Sequence, residues 1–223
     1  MSLLESPLES MLESPVESPV ESAVVSPVGS PPRAAPPIVI THETSITGSE
    51  AETLWEAYRT NFEPLAEVAV LQHLYSRDEV LAEFRNPRII KIVGWQDGRP
   101  VGLAMVTNTL DDVPQISPAF LRSRYPEHAA RNAIYVGILV MVVPGVRGLT
   151  LFGRLSTELW QLVALAGGVL VFDICDFNRT NFGAEKVAHR IADAFPRSDL
   201  QVLDRQTWYV AELPEPIPGY PKV

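Results

Sequence analysis

The chain has 223 residues, 46% hydrophobic and 20% charged. That is enough for one good-sized core, and too little for a second full domain once a biased N-terminal segment is set aside. A formal charge of −9 gives no electrostatic footprint for nucleic acid or an anionic membrane, so neither is expected as a partner.

Residues 1–37 form a segment of their own. Glu5, Glu9, Glu13, Glu17 and Glu21 recur every fourth residue, and eight of the chain's 20 prolines fall here. Pro7, Pro15, Pro19 and Pro27 break any helix that the acidic period would favour. With no aromatics, the segment is expected to be a disordered acidic tail, or an extended peptide that docks an unknown protein. Nothing in it has the basic and then apolar regions of a secretory signal. The single cysteine, Cys175, excludes an intrachain disulfide and fits a reducing, cytoplasmic compartment. His42, His73, His128 and His189 show no close pairing, so no metal site is expected.

Folded sequence is expected over residues 38–213, with a proline-rich terminus at 214–223. Ile38 to Thr41 reads as a first strand. Ser49 and Glu52 have the spacing of a capping box opening a helix with Leu54, Tyr58 and Phe62 on one side. Pro64 interrupts it, and helical character resumes through Leu65, Val68 and Leu71. Ser76 and Glu79 cap a second helix that Pro87 ends. Ile89–Trp95 and Val101–Thr107 flank Asp97-Gly98, a strong hairpin signal. The connector 108–132 is long enough to be functional or to hold structure of its own, and Ser117-Pro118 looks like a helix start within it.

Ala133–Val143 is apolar on both faces, as an interior strand is, and is too short to span a bilayer. A turn at Pro144–Gly148 leads to a helix from about Leu149 to Ala166, ended by Gly167-Gly168. Val169–Phe172 is another buried strand, and 181–195 a helix with Ala184, Val187, Ala188, Ile191 and Phe195 inward. Residues 200–203 and 207–213 read as closing antiparallel strands. This order predicts an α/β chain with a mixed sheet and at least one parallel βαβ unit.

The segment from Leu139 to Leu155 carries the chemistry. A buried strand enters a glycine-containing turn and then a helix, whose first-turn amides and positive dipole end suit a phosphate. Arg147 and Arg154 could add charge-assisted contacts; the alternative is an ordinary strand–turn–helix with two solvated arginines.

Val142-x-Pro144-x-x-Arg147-Gly148 resembles the central motif of the GNAT superfamily of N-acetyltransferases, and the element order over about 38–213 resembles their fold. The resemblance implies a GNAT-like acyltransferase fold binding acetyl-CoA or another acyl-CoA as co-substrate. It implies cofactor contacts at Val142, Val143, Arg147, Gly148, Leu149, Thr150, Phe152 and Gly153, with Asn178 and Asn181 as candidates for an asparagine opening the next helix. It also implies direct transfer to an amine of a small molecule or peptide. The sequence departs from the family where Thr150 and Phe152 stand in place of small residues and where a late tyrosine acid is missing.

The candidates for acid and base are Tyr135, Asp173 and His189, with Asp111, Asp112 and Asp176 nearby in type. Each has a plainer role to weigh: Tyr135 as a core aromatic, the aspartates as turn or cap residues, His189 at a helix border. Cys175 reads as a small buried hydrophobe. Two further readings remain open: a catalytically silent binding or scaffold module, and a synthase of acylated amino-acid signals on a related fold. A homodimer is possible for any of them.

Overall fold

The computed structural model describes residues 36–69, 74–146 and 148–212. The tail at 1–35, Leu71, His73, Arg147, Leu213 and the terminus 214–223 lie outside the described residues. Five strands form one mixed sheet in chain order: β1 Val39–Glu43, β2 Ile89–Gln96, β3 Arg99–Thr107, β4 Ile134–Val142 and β5 Val169–Val171. The first four are antiparallel, and β5 joins β4 in parallel. The mixed α/β class expected from the sequence is the one observed.

Between β1 and β2 lie α1 Gly48–Phe62, a 3-10 turn at Glu63–Glu67 and α2 Arg77–Arg85. Their apolar side, with Leu54, Tyr58 and Phe84, covers one sheet face against Val93, Leu103, Met105 and Met141. The opposite face is covered by α5 Gly148–Leu165, through Leu151, Leu155, Leu159 and Val163 on Ile92, Val101, Ala104 and Val106. From Leu103 to Val106 successive residues of β3 therefore go to alternate cores, Leu103 and Met105 to the first and Ala104 and Val106 to the second.

The reach of α5 onto the sheet depends on two glycines that face each other across β2 and β3, Gly94 and Gly102. A Cβ on Gly102 would lie 2.8 Å from Leu155 Cδ1, and one on Gly94 would lie 3.1 Å from Leu151 Cδ1. The bare backbone there lets the N-terminal half of α5 sit low on the sheet. The β2–β3 hairpin turns through Asp97 and Gly98, at φ 51° and 70°, the conformation that an Asp-Gly tight turn requires.

Connector 108–132 folds into a 3-10 turn at Leu110–Asp112, α3 Pro118–Arg124 and α4 Pro126–Ala130. Ser117 caps α3 by accepting from the Phe120 amide, and Leu110, Val113 and Leu121 pack on Ile134 and Val136. The Ser76–Glu79 capping box of α2 is complete in both directions.

Three sequence expectations fail. Ser49 does not cap α1: Gly48, at φ 65°, turns the chain into the helix one residue sooner, with Thr47 at the cap position. The Ser49 hydroxyl, now inside the first turn, bonds Glu50. The helix expected over 181–195 is two, α6 Asp176–Asn181 and α7 Ala184–Asp193, because Gly183 at φ 61° breaks the run. Finally, residues 200–212 pair with no strand among the described residues. Strand-forming composition says that a segment suits a pleated surface; it does not supply an edge to pair with.

Candidate active site

The site begins with a defect in β4. Met105 of β3 pairs with Leu139 and Val106 pairs with Gly137, so Ile138 is an extra residue opposite a single step of β3. Such a bulge bends its strand and leaves the extra residue outside the ladder. Here it also marks where the sheet opens. β4 and β5 pair only at Ile134–Val136 with Val169–Val171; from Gly137 onward β5 offers β4 no ladder partner.

A cavity of about 210 Å³ fills the opening. Its walls are β4 from Gly137 to Val140 and the chain from Leu170 to Cys175. Phe152, Ser156, Leu159 and Trp160 of α5 close it on one side of the sheet, and Phe62 and Leu65 on the side of α1. Ala184, Ala188 and Ile191 of α7, with Asn178 of α6, complete it. The gap between the two strands is thus bordered by residues from both faces of the sheet.

At its upper end β4 alternates its backbone groups in the antiparallel manner. The Val143 amide donates to Val101 O at 2.9 Å, so Val143 faces β3, and Val142 and Val140 point their polar groups toward the open edge. There the Val142 carbonyl accepts from Asn61 Nδ2 at 3.1 Å. Of the two valines nominated for backbone contacts, Val142 is therefore on the open side and Val143 is committed to the sheet.

The turn after β4 passes Gly145 at φ 88°, a left-handed conformation suited to glycine, and α5 starts at Gly148. A Cβ on Gly145, Gly148 or Gly153 would meet nothing within 4 Å, so this stretch of backbone is open to approach. The first-turn amides of an 18-residue helix lack helical acceptors and carry its positive end. Thr150 is exposed beside them, and Leu149 opens the same turn. Phe152 is half-buried and lines the cavity itself. Arg147 lies outside the described residues. Arg154 does not face a ligand: its guanidinium donates to Ile38 O at 3.1 Å, tying α5 to the start of β1.

The other nominated residues separate. Asp173 lines the cavity just past β5. Tyr135 sits below the opening, paired with Leu170 and packed among the α5-side core residues, which is the plainer role weighed for it. His189 is exposed on α7, one residue beyond the cavity-lining Ala188. Asn178 lines the cavity from inside α6, whereas Asn181 ends that helix and donates to Phe177 O at 2.9 Å. Neither asparagine opens a helix. Asp111 pairs with Arg122, Asp176 with Arg179, and Arg88 Nε lies 2.9 Å from Asp112 Oδ2, so these carboxylates are engaged. Cys175 is half-buried and also lines the cavity. No described cavity-lining residue comes from connector 108–132.

Residue order gives little sign of Trp160, Phe172 and Ser156 as cavity residues, since each belongs to a run that reads as core. Outside the cavity lining, the Tyr75 hydroxyl accepts from Gln115 Nε2 at 3.2 Å, and burial raises its pKa, with the charges of Glu83, Glu79 and Asp173 adding to the effect. The signal that could have found Asp173 and its neighbours is positional: ligands favour the carboxyl ends of parallel strands.

The chain is similar to N-acetyltransferases of known structure. An N-acetyltransferase from Staphylococcus aureus Mu50 is 15% identical, with 69% of this chain and 81% of that one covered at a TM-score of 0.48. The aminoglycoside N-acetyltransferase AAC(6')-Iy, solved in complex with CoA, is 13% identical, with 78% and 97% covered at 0.47. An acetyltransferase from Trypanosoma brucei is 19% identical, with 78% and 100% covered at 0.44. Likeness at these levels sets no activity for this chain. No family model matches the sequence, and no curated protein does. Among the described residues no helix is long and apolar enough to cross a membrane.

Proposed function

We propose that this chain is an acyl-CoA-dependent N-acyltransferase that moves an acetyl or other acyl group directly to an amine. The observation that carries the reading is the cavity where β4 and β5 part at a bulge, beside the N-terminus of α5. The residues there fit an acyl-CoA thioester. Open backbone at Gly145 and Gly148 with the first-turn amides of α5 suits a diphosphate, Val140 turns its backbone groups to the open edge toward an amide-bearing arm, and the apolar walls suit its methylenes.

In direct transfer the amine nitrogen bonds to the thioester carbon, the carbon–sulfur bond breaks, the ammonium proton goes to a base, and the thiolate takes up a proton. Asp173 alone of the three nominated side chains borders the cavity, so the base role falls to it, directly or through water. In this reading a backbone N–H of β4 at the opening steadies negative charge on the carbonyl oxygen. The two-faced opening supports approach of donor and acceptor from opposite sides of the sheet.

A second reading is favoured by one observation, the Phe152 ring in the cavity wall. It is a GNAT-like binding module without transfer chemistry. Calorimetric titration with acetyl-CoA and a longer acyl-CoA, on the chain and on Arg147→Ala, is the test. Binding that weakens in the variant, with amine acylation in a transfer assay lost in Asp173→Asn, supports the enzyme. Binding without turnover on any amine supports the module, and no binding of any CoA ester defeats both.

A further inference from the structure

Among the described residues the buried polar and charged side chains are those of Lys91, Thr107 and Ser156. Two of them have partners. Lys91 Nζ donates to the carbonyls of Thr44 and Asn86. The Thr107 hydroxyl donates to Arg88 O and accepts from the Thr109 amide. Ser156 is only 7% exposed, yet its hydroxyl has no hydrogen-bond partner among the described residues. A serine inside a helix can bond the carbonyl one turn back, here that of Phe152, and Ser156 does not. A buried polar group left unpaired destabilises the fold that holds it.

The place of this hydroxyl tells what it is for. Phe152, Ser156, Leu159 and Trp160 follow one another at helical spacing along α5, and all four line the cavity where β4 and β5 part. The adjoining stripe, with Leu151, Leu155 and Val163, lies on the sheet. Ser156 thus puts the lining's one hydroxyl at a point where the stripe calls for an apolar residue.

We propose that Ser156 is a ligand-binding residue, unpartnered in the free chain and hydrogen-bonded to an amide of the acyl-CoA arm when that arm lies between the strands. This rests on the acyl-CoA reading of the cavity. An amide offers both partners that a hydroxyl takes, a carbonyl for its proton and an N–H for its oxygen. The diphosphate is not the partner. Eight residues separate Ser156 from Gly148 at the start of α5, about 12 Å along the helix axis, which carries the hydroxyl past the phosphates to the arm. Val140 brings backbone groups to the same cavity from β4. An arm bonded from both walls has its register along the opening fixed.

The test is calorimetric titration of the full chain and of Ser156→Ala with acetyl-CoA, with a longer acyl-CoA and with ADP, the diphosphate-bearing part of CoA without its arm. Thermal melts of the two free chains accompany it. Alanine keeps the helix and removes only the oxygen. Binding of both esters is expected to weaken by roughly three- to tenfold in the variant, with ADP binding unchanged. The free variant should melt about 1–3 °C higher, because it no longer buries an unpaired hydroxyl. A variant that binds the esters as well as the wild type does overturns this proposal and leaves the acyl-CoA reading standing. An equal loss with ADP, or a variant that melts lower, also overturns it, since the hydroxyl then serves the fold. A wild-type chain that binds neither ester overturns the proposal together with the reading beneath it.

Discussion

At the scale of single residues, Phe152 decides how much room the cavity has. Its position on α5 puts the ring in the wall next to the open backbone of the first turn, where a diphosphate-bearing ligand would pass. Truncation to alanine widens that passage and keeps the helix. Phe152→Ala is expected to tighten acetyl-CoA binding by roughly tenfold, about 1.4 kcal/mol, in a calorimetric titration. Weaker binding in the variant means that the ring supports the ligand instead. Lys91 offers a test of a different kind. Its side chain is fully buried in β2, and Nζ donates to the carbonyls of Thr44, at 2.9 Å, and Asn86. Burial lowers its pKa to about 8, with the charge of Glu83 opposing the fall. A lysine depressed on folding carries a penalty that is complete below pH 8 and is relieved as pH rises toward its unfolded value near 10.5. Wild-type stability should therefore rise against Lys91→Met by roughly 2–3 kcal/mol between pH 8 and 10 in urea titrations. Tyr58 and Tyr75, both raised by burial, act with the opposite sign above pH 10 and cancel in that comparison.

At the scale of elements, the placement of α5 is the quantity to perturb. Gly102→Ala would set a methyl 2.8 Å from Leu155 Cδ1, 3.0 Å from Leu151 Cδ2 and 3.2 Å from Met141 O. The two closest contacts are leucine methyls of α5 and the third is the β4 backbone, so the methyl cannot shift toward β4 and the leucines repack with a lift of the helix. The expected loss is about 1–3 kcal/mol in chemical denaturation. Acyl-CoA affinity should fall as well, because the displaced helix carries the first-turn amides away from β4. Stability lost with affinity unchanged would separate α5 placement from binding. The elements that were legible in the sequence are those whose signals are local. The Asp-Gly hairpin, the Ser76–Glu79 box and the Ser117-Pro118 start each state their geometry within four residues. Gly183 also broke a helix locally, but the apolar spacing from Ala184 to Phe195 begins just after it and carries no sign of the break. Residues 200–203 and 207–212 misled for the opposite reason: their composition suits a strand, and whether an edge awaits them is a tertiary matter.

At the scale of the molecule, the site comes from an event that no single segment encodes. Ile138 is apolar like its neighbours, and nothing in Ala133–Val143 announces which residue will fall outside the ladder. The bulge arises from how β3 and β4 register, and the cavity from how far β5 follows β4. That is why the turn and helix beside the site could be read in advance, while Trp160, Phe172 and Ser156 could not. The same geometry constrains the kinetic mechanism. The opening is bordered from both sheet faces, which lets two substrates meet in one complex without an enzyme-bound intermediate. One nucleophile in the wall, Cys175, provides the competing route, in which the thiol would take the acyl group first. Direct transfer predicts initial-rate lines that intersect when both substrates are varied, and Cys175→Ala within about twofold of wild-type kcat, since a small half-buried side chain is replaced by a smaller one. A covalent route predicts parallel lines, an acylated Cys175 by mass spectrometry when the acceptor is withheld, and an inactive alanine variant. Direct transfer does not survive that second set of results, whereas acyl-CoA binding at the parted strands does.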